Sequence, residues 1–121
     1  MEKLYATYKD RAAFVLVYIR EAHPDSVLFV PESGKEVLKK IEQTRTEAER
    51  AAAAEICVTA LKLSVPTVID KDDNRVNVAY AGWPDRLYVI GTDGKVAYKG
   101  AQGPGGFKPA EVEEWLRKNA R

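Results

Sequence analysis

Two apolar runs joined by a tight turn, RLYVIGTDGKVAYKG at residues 86–100, limit what this chain can fold into more than any other stretch. Residues 87–90 are continuously apolar and residues 95–98 alternate polar with apolar. Gly91-Thr92-Asp93-Gly94 lies between them, so the pattern predicts a β-hairpin. Asp93-Gly94 supplies the corner, because hairpin turns require positive φ and glycine adopts it with no Cβ to clash. Pro84 has no N–H to donate and marks a strand entry, not a strand interior. After the hairpin, GAQGPGGF (100–107) feeds a last helix. Pro109 suits its first position, Glu111, Glu113 and Glu114 fall early and Arg117, Lys118 and Arg121 fall late, the charge order a helix dipole favours. Val112, Trp115 and Leu116 make the apolar stripe with which this helix covers a sheet.

A chain of 121 residues is one domain's worth, able to bury roughly two-thirds of its unfolded surface with neither disulfide nor structural metal. We therefore expect a single domain over residues 1–121. With 19 basic and 18 acidic side chains the formal charge is +1, which argues against nucleic acid or an anionic lipid surface as a partner. One cysteine rules out an internal disulfide and fits a reducing compartment. The first residues, MEKLYATYKDR, lack the apolar run of a signal peptide, and no segment is apolar over a membrane's width. These features predict a soluble cytoplasmic protein that neither spans nor binds a membrane.

Along the chain, residues 2–11 carry Leu4, Tyr5 and Tyr8 at helical spacing. AFVLVYI (13–19) has no polar position and predicts a strand buried on both faces. REAHPDS (20–26) follows as a loop at that strand's carboxyl end, where open α/β sheets place their ligands. VLFVPESG (27–34) is compatible with a short strand or a packed loop, and residues 35–41 with a helical turn or two. Capping-box spacings at residues 44–47 and 46–49 predict a helix from about residue 45 to about residue 63, with Ala53, Ile56, Cys57, Ala60 and Leu61 on its inner face. SVPTVID (64–70) reads as a short strand, and residues 74–81 as a helical turn leading to the hairpin.

Few residues carry chemistry. His23, the only histidine, stands in the polar loop after the first strand, where an imidazole suits proton transfer or a hydrogen bond to a phenol or carboxylate; a solvated or capping role is the alternative. Arg86 can offer a bidentate fork to an anion, or pair with Asp85 or a helix end. Cys57 sits on an apolar helix face away from any helix N-terminus, so a buried, inert thiol is expected. One histidine and one distant cysteine make no metal-ligand set, and the glycine-rich loop lacks the lysine and hydroxyl of a phosphate-binding P-loop.

The order of elements resembles the C-terminal half of a thioredoxin-like domain. Three stretches are narrower: VYIREAHPDS (17–26), VIDKDDNRVNVAYAGWPDRLYVI (68–90) and GAQGPGGFKPAEVEEWL (100–116) are similar to the iodothyronine deiodinase family and its bacterial relatives. That resemblance runs over almost the whole chain. It implies an α/β three-layer sandwich of thioredoxin type, with a mixed central sheet and helices on both faces. It also implies reductive removal of iodide from iodothyronines, with thiol as the electron source and no further cofactor. The family's substrate-clamping histidine and arginine fall on His23 and Arg86, with Glu21 the neighbouring acid, and the cis-proline of thioredoxin-like domains falls on Pro84.

The family's nucleophile, selenocysteine or cysteine, precedes the first helix, and this chain starts at that helix; Cys57 does not match it. The first core strand is therefore expected to be missing, the domain incomplete at its N-terminus, and this form inactive. Pro84 stands where the animal enzymes usually have a bulky aromatic, and Asp25-Ser26-Val27 where many have glycine and tryptophan. Three functions follow as expectations. One is a deiodinase-like oxidoreductase taking a phenolic or halogenated small molecule and a thiol reductant. The others are a binding or scaffold domain without redox chemistry, and a thiol or peroxide reductase of the same fold. An upstream in-frame Cys or UGA codon would favour the first or third. A missing central strand would also leave open edges, for which a homodimer is the expected remedy.

Overall fold

The computed structural model describes residues 1–121. Helices and short strands alternate: α1 (Glu2–Tyr8), β1 (Leu16–Tyr18), β2 (Val27–Glu32), β3 (Lys35–Lys40), α2 (Glu47–Ala60), β4 (Thr67–Ile69), α3 (Arg75–Tyr80), β5 (Tyr88–Ile90), β6 (Val96–Lys99) and α4 (Pro109–Asn119). No helix is long and apolar enough to cross a membrane. The chain is thus mixed α/β. Its strands form three two-stranded ladders instead of the one mixed central sheet expected: β1 parallel to β4, β2 antiparallel to β3, and β5 antiparallel to β6. Each strand finds one hydrogen-bonded neighbour, so its other edge stays outside any ladder.

Two compact units are present, Val15–Tyr80 and the pair of segments Met1–Phe14 with Ala81–Arg121. In the second unit, Leu4 and Tyr8 of α1 meet Val112 and Leu116 of α4 in a buried cluster, with Phe14, Leu87, Val89 and Trp115 packed against it. Tyr5 stacks edge-on to Phe14 at 5.6 Å between ring centroids. The predicted hairpin forms around residues 91–95: Gly94 has φ 77°, and the Asp93 carboxylate accepts from the Lys95 N–H at 3.0 Å. A bulge leaves Ala97 without an opposite residue. Pro109 opens α4 as its spacing predicts.

In the Val15–Tyr80 unit the largest correction falls on residues 35–41, of which Lys35–Lys40 are strand and none is helix. Ser33 and Gly34 both take positive φ (50° and 78°), the geometry of a two-residue type I′ corner, so Glu32 and Lys35 face each other and the register runs back to Val27 and Lys40. One face of this hairpin contributes buried Val30; the other leaves Val27, Phe29 and Leu38 more than half exposed. The strand predicted at residues 13–19 shortens to β1, whose residues are half-buried, while Val15 is 63% exposed. Burial on both faces needs neighbours on both sides, and β1 has one. Helix α2 begins at the second of the two spacings, with the Thr46–Glu49 capping box complete. Its buried face is Arg50, Ala53 and Ala54, while Leu61 just past its end is exposed.

Candidate functional site

The loop after β1 is built around one carboxylate. Tyr18, the last residue of β1, donates its hydroxyl to Glu21 Oε2 at 2.5 Å, and Glu21 Oε1 accepts the His23 N–H at 3.0 Å. With both oxygens engaged, Glu21 pins the loop backbone while the His23 side chain stays exposed. Asp25 closes the loop in the left-handed region (φ 71°), and its N–H donates to Ile41 O at 2.7 Å. The Ile41 N–H returns to Ser26 O at 2.8 Å, which ties the loop to the end of β3. The structure therefore brings Glu21 and His23 together.

Two neighbours of this carboxylate have no mark in the sequence as site residues. Tyr18 stays a neutral phenol far into alkali: burial comes first among the causes, then its hydrogen bond to Glu21. Cys57 reaches the same hydroxyl, Sγ to Oη 4.0 Å, and is half-buried, more open than expected. Burial pushes its thiol up; the Tyr18 hydrogen bond pulls the other way and the Glu21 charge adds to the rise. A thiol held protonated is a poor nucleophile. The available signal was the three-residue spacing of Tyr18 and Glu21 across a strand end.

The same unit holds a buried polar joint. Asp70, with no exposed surface, follows β4 and accepts three backbone N–H groups: Lys71 (2.9 Å) and Val76 (3.0 Å) on Oδ1, Asn77 (2.8 Å) on Oδ2. Buried Arg50 donates through Nη1 to Asp70 O (3.1 Å) and Lys71 O (2.7 Å). Asp70 and Arg50 thereby meet these three backbone donors and two backbone acceptors of the turn between β4 and α3, so this pair has a structural role.

Arg86 belongs to the other unit, at the entry to β5. The Trp83–Pro84 peptide before it is cis, and so is Gly103–Pro104 in the glycine-rich loop. That loop wraps Asp85: the Gly103 N–H donates to Asp85 O at 2.9 Å, and a Cβ at Gly103 would lie 1.8 Å from the Asp85 carboxylate. Gln102 Nε2 donates to Trp83 O at 2.8 Å. Gly106 is buried with the Ala101 carbonyl 2.4 Å from where its Cβ would stand, so only glycine fits without a shift. Within this packing, Arg86 Nε and Asp85 Oδ1 are buried without a hydrogen-bond partner. Arg86 is therefore not paired with Asp85 as one sequence alternative had it. No three His, Cys, Asp or Glu side chains converge as a metal site would require.

A profile of the iodothyronine deiodinases matches residues 1–120. Among curated proteins, the chain is 32% identical over 117 residues to a thyroxine 5-deiodinase of Sparus aurata, covering 97% of this chain and 42% of that protein. It is 34% identical over 119 residues to the type II iodothyronine deiodinase of Bos taurus (97% and 44%), and 37% identical over 116 residues to a thyroxine 5-deiodinase of Aquarana catesbeiana (95% and 40%). The chain thus spans about two-fifths of the length of these relatives.

Proposed function

Since this chain belongs to the iodothyronine deiodinase family, we propose that it is the substrate-holding part of a deiodinase-type oxidoreductase with a thioredoxin-like, single-domain fold. In the Val15–Tyr80 unit His23 is a hydrogen-bond partner for a phenolic or halogenated small molecule; in the other unit, taken by itself, Arg86 is a partner for an anion. Glu21 is the acid that fixes His23. The single observation that carries this reading is the doubly engaged Glu21 carboxylate, which holds the His23 backbone while the imidazole faces solvent. A residue whose backbone is fixed loses less freedom when its side chain takes a ligand. The unpartnered Arg86 Nε supports the second role, since a buried guanidinium nitrogen gains a partner when an anion arrives.

In the reaction of this class, an aryl carbon–iodine bond is replaced by carbon–hydrogen, iodide leaves, and two thiols supply the electron pair as they join in a disulfide. The one thiol here, Cys57, is held protonated beside Tyr18, so residues 1–121 bind without turning over. Calorimetric titration with 2,6-diiodophenol tests this. His23→Ala and Arg86→Ala should each weaken binding by about 1–3 kcal/mol. Unchanged affinity in His23→Ala ends the His23 role, and unchanged affinity in Arg86→Ala ends the Arg86 role. Iodide release with excess dithiothreitol, lost in Cys57→Ser, would assign the chemistry to Cys57 and overturn the non-catalytic reading.

A further inference from the structure

We propose that the outer edge of β3 is a self-association surface, on which β3 of a second copy of this chain pairs antiparallel about a twofold axis at Leu38. The surface uses no residue of the small-molecule reading above, so either can fail without the other.

The two edges of the β2–β3 hairpin differ in what they can accept. Ile41 donates its N–H to Ser26 O at 2.8 Å, and bonds in an antiparallel ladder alternate along a strand, so Lys35, Val37 and Lys39 bond inward to β2. Glu36, Leu38 and Lys40 therefore turn their N–H and C=O groups away from β2, on a side that no third strand joins. All three are exposed, Leu38 by 57%. On β2 the outward positions are Val27, Phe29 and Pro31, and Pro31 has no N–H to donate. A strand added to β3 meets an unbroken row of donors and acceptors, whereas one added to β2 meets a gap.

The residues along this edge complement themselves. About a twofold axis at Leu38, Leu38 faces Leu38 of the second copy and Glu36 faces Lys40 at either end, each pair exchanging both backbone bonds. Centring on Val37 or Lys39 instead would set Leu38 against Glu36 or Lys40, and centring on Glu36 or Lys40 would set like charge against like. Lys40 keeps its contacts with Asp25 and Glu42 inside its own chain, so charge selects the register while the backbone row and the leucines supply the attraction. Glu36, which takes part in none of the chain's ion pairs, gains a cation opposite. Phe29 lies opposite Leu38 within the hairpin and is 60% exposed, so the joined sheet carries Phe29, Leu38, Leu38 and Phe29 as one apolar band. With Pro31 on the far edge, assembly stops at two copies.

Sedimentation equilibrium of the full chain tests the pairing. Because position 38 faces itself, Leu38→Lys and Leu38→Asp should each weaken dimerisation about tenfold or more, and an equimolar mixture of the two should associate again. Amide hydrogen exchange of the unsubstituted chain gives a second readout that survives any misfolding of the variants. Exchange at Glu36, Leu38 and Lys40 should slow as the protein is concentrated, while Val37 and Lys39, bonded within the hairpin, stay protected throughout. A chain that remains monomeric up to millimolar concentration, or a dimer that both variants form as tightly as the parent, would overturn the surface. So would a mixture no tighter than either variant alone, or exchange at Glu36, Leu38 and Lys40 that ignores concentration.

Discussion

Tyr18 and Cys57 lie within hydrogen-bond reach of one another, and burial raises both groups from ordinary values of 10.0 and 9.0. The folded chain keeps these protons at a pH where the unfolded chain has released them. The unfolded state then binds fewer protons, and stability falls as pH rises through the unfolded values, while below them the contribution is fully present. Urea midpoints should therefore drop between about pH 8 and about pH 11, and Tyr18→Phe should make the drop shallower. Identical slopes in the two proteins would remove Tyr18 from the account. At neutral pH the native thiol should react with a disulfide reagent roughly tenfold more slowly than free cysteine; an equal rate would mean that burial does not protect it.

Asp70 and Arg50 show how an element is held from a distance in sequence. Asp70→Ala would strand three N–H groups in the first turn of α3 and after β4, a loss of roughly 3 kcal/mol or more by urea unfolding. Asp70→Asn should cost less, since one oxygen remains to accept. A loss below about 1 kcal/mol would show that water replaces the carboxylate. At this scale the sequence was legible where local chemistry decides: Asp93-Gly94 made its hairpin, Thr46 and Glu49 their capping box, and Pro109 its helix start. Residues 35–41 were misread because Val37, Leu38 and Ile41 fit a helical face as well as a strand. What decides between them is the left-handed pair Ser33-Gly34, which folds the chain back on itself. Glu21 and His23 are legible as neighbours, whereas the hydrogen bond from Tyr18 to Glu21 depends on where the strand stops.

Across the whole chain, the second edge of β1 and that of β5 lie outside any ladder. Unpaired N–H and C=O groups on such edges template pairing with another chain. Self-association into a dimer at micromolar concentration is the expected outcome in light scattering, and a monomer at every concentration would mean that the edges are met in another way. The segments Met1–Phe14 and Ala81–Arg121 make up one compact unit, in which α1 shares its buried cluster with α4. During synthesis the residues of Val15–Tyr80 all emerge before that unit has its second half, and α1 leaves the ribosome with its apolar face bare. At ~5–20 residues per second it waits several seconds or more for Val112 and Leu116. Helix α1 is made well before its partner α4, so a ribosome that stalls ahead of α4 releases a chain in which α1 still lacks the residues that cover it.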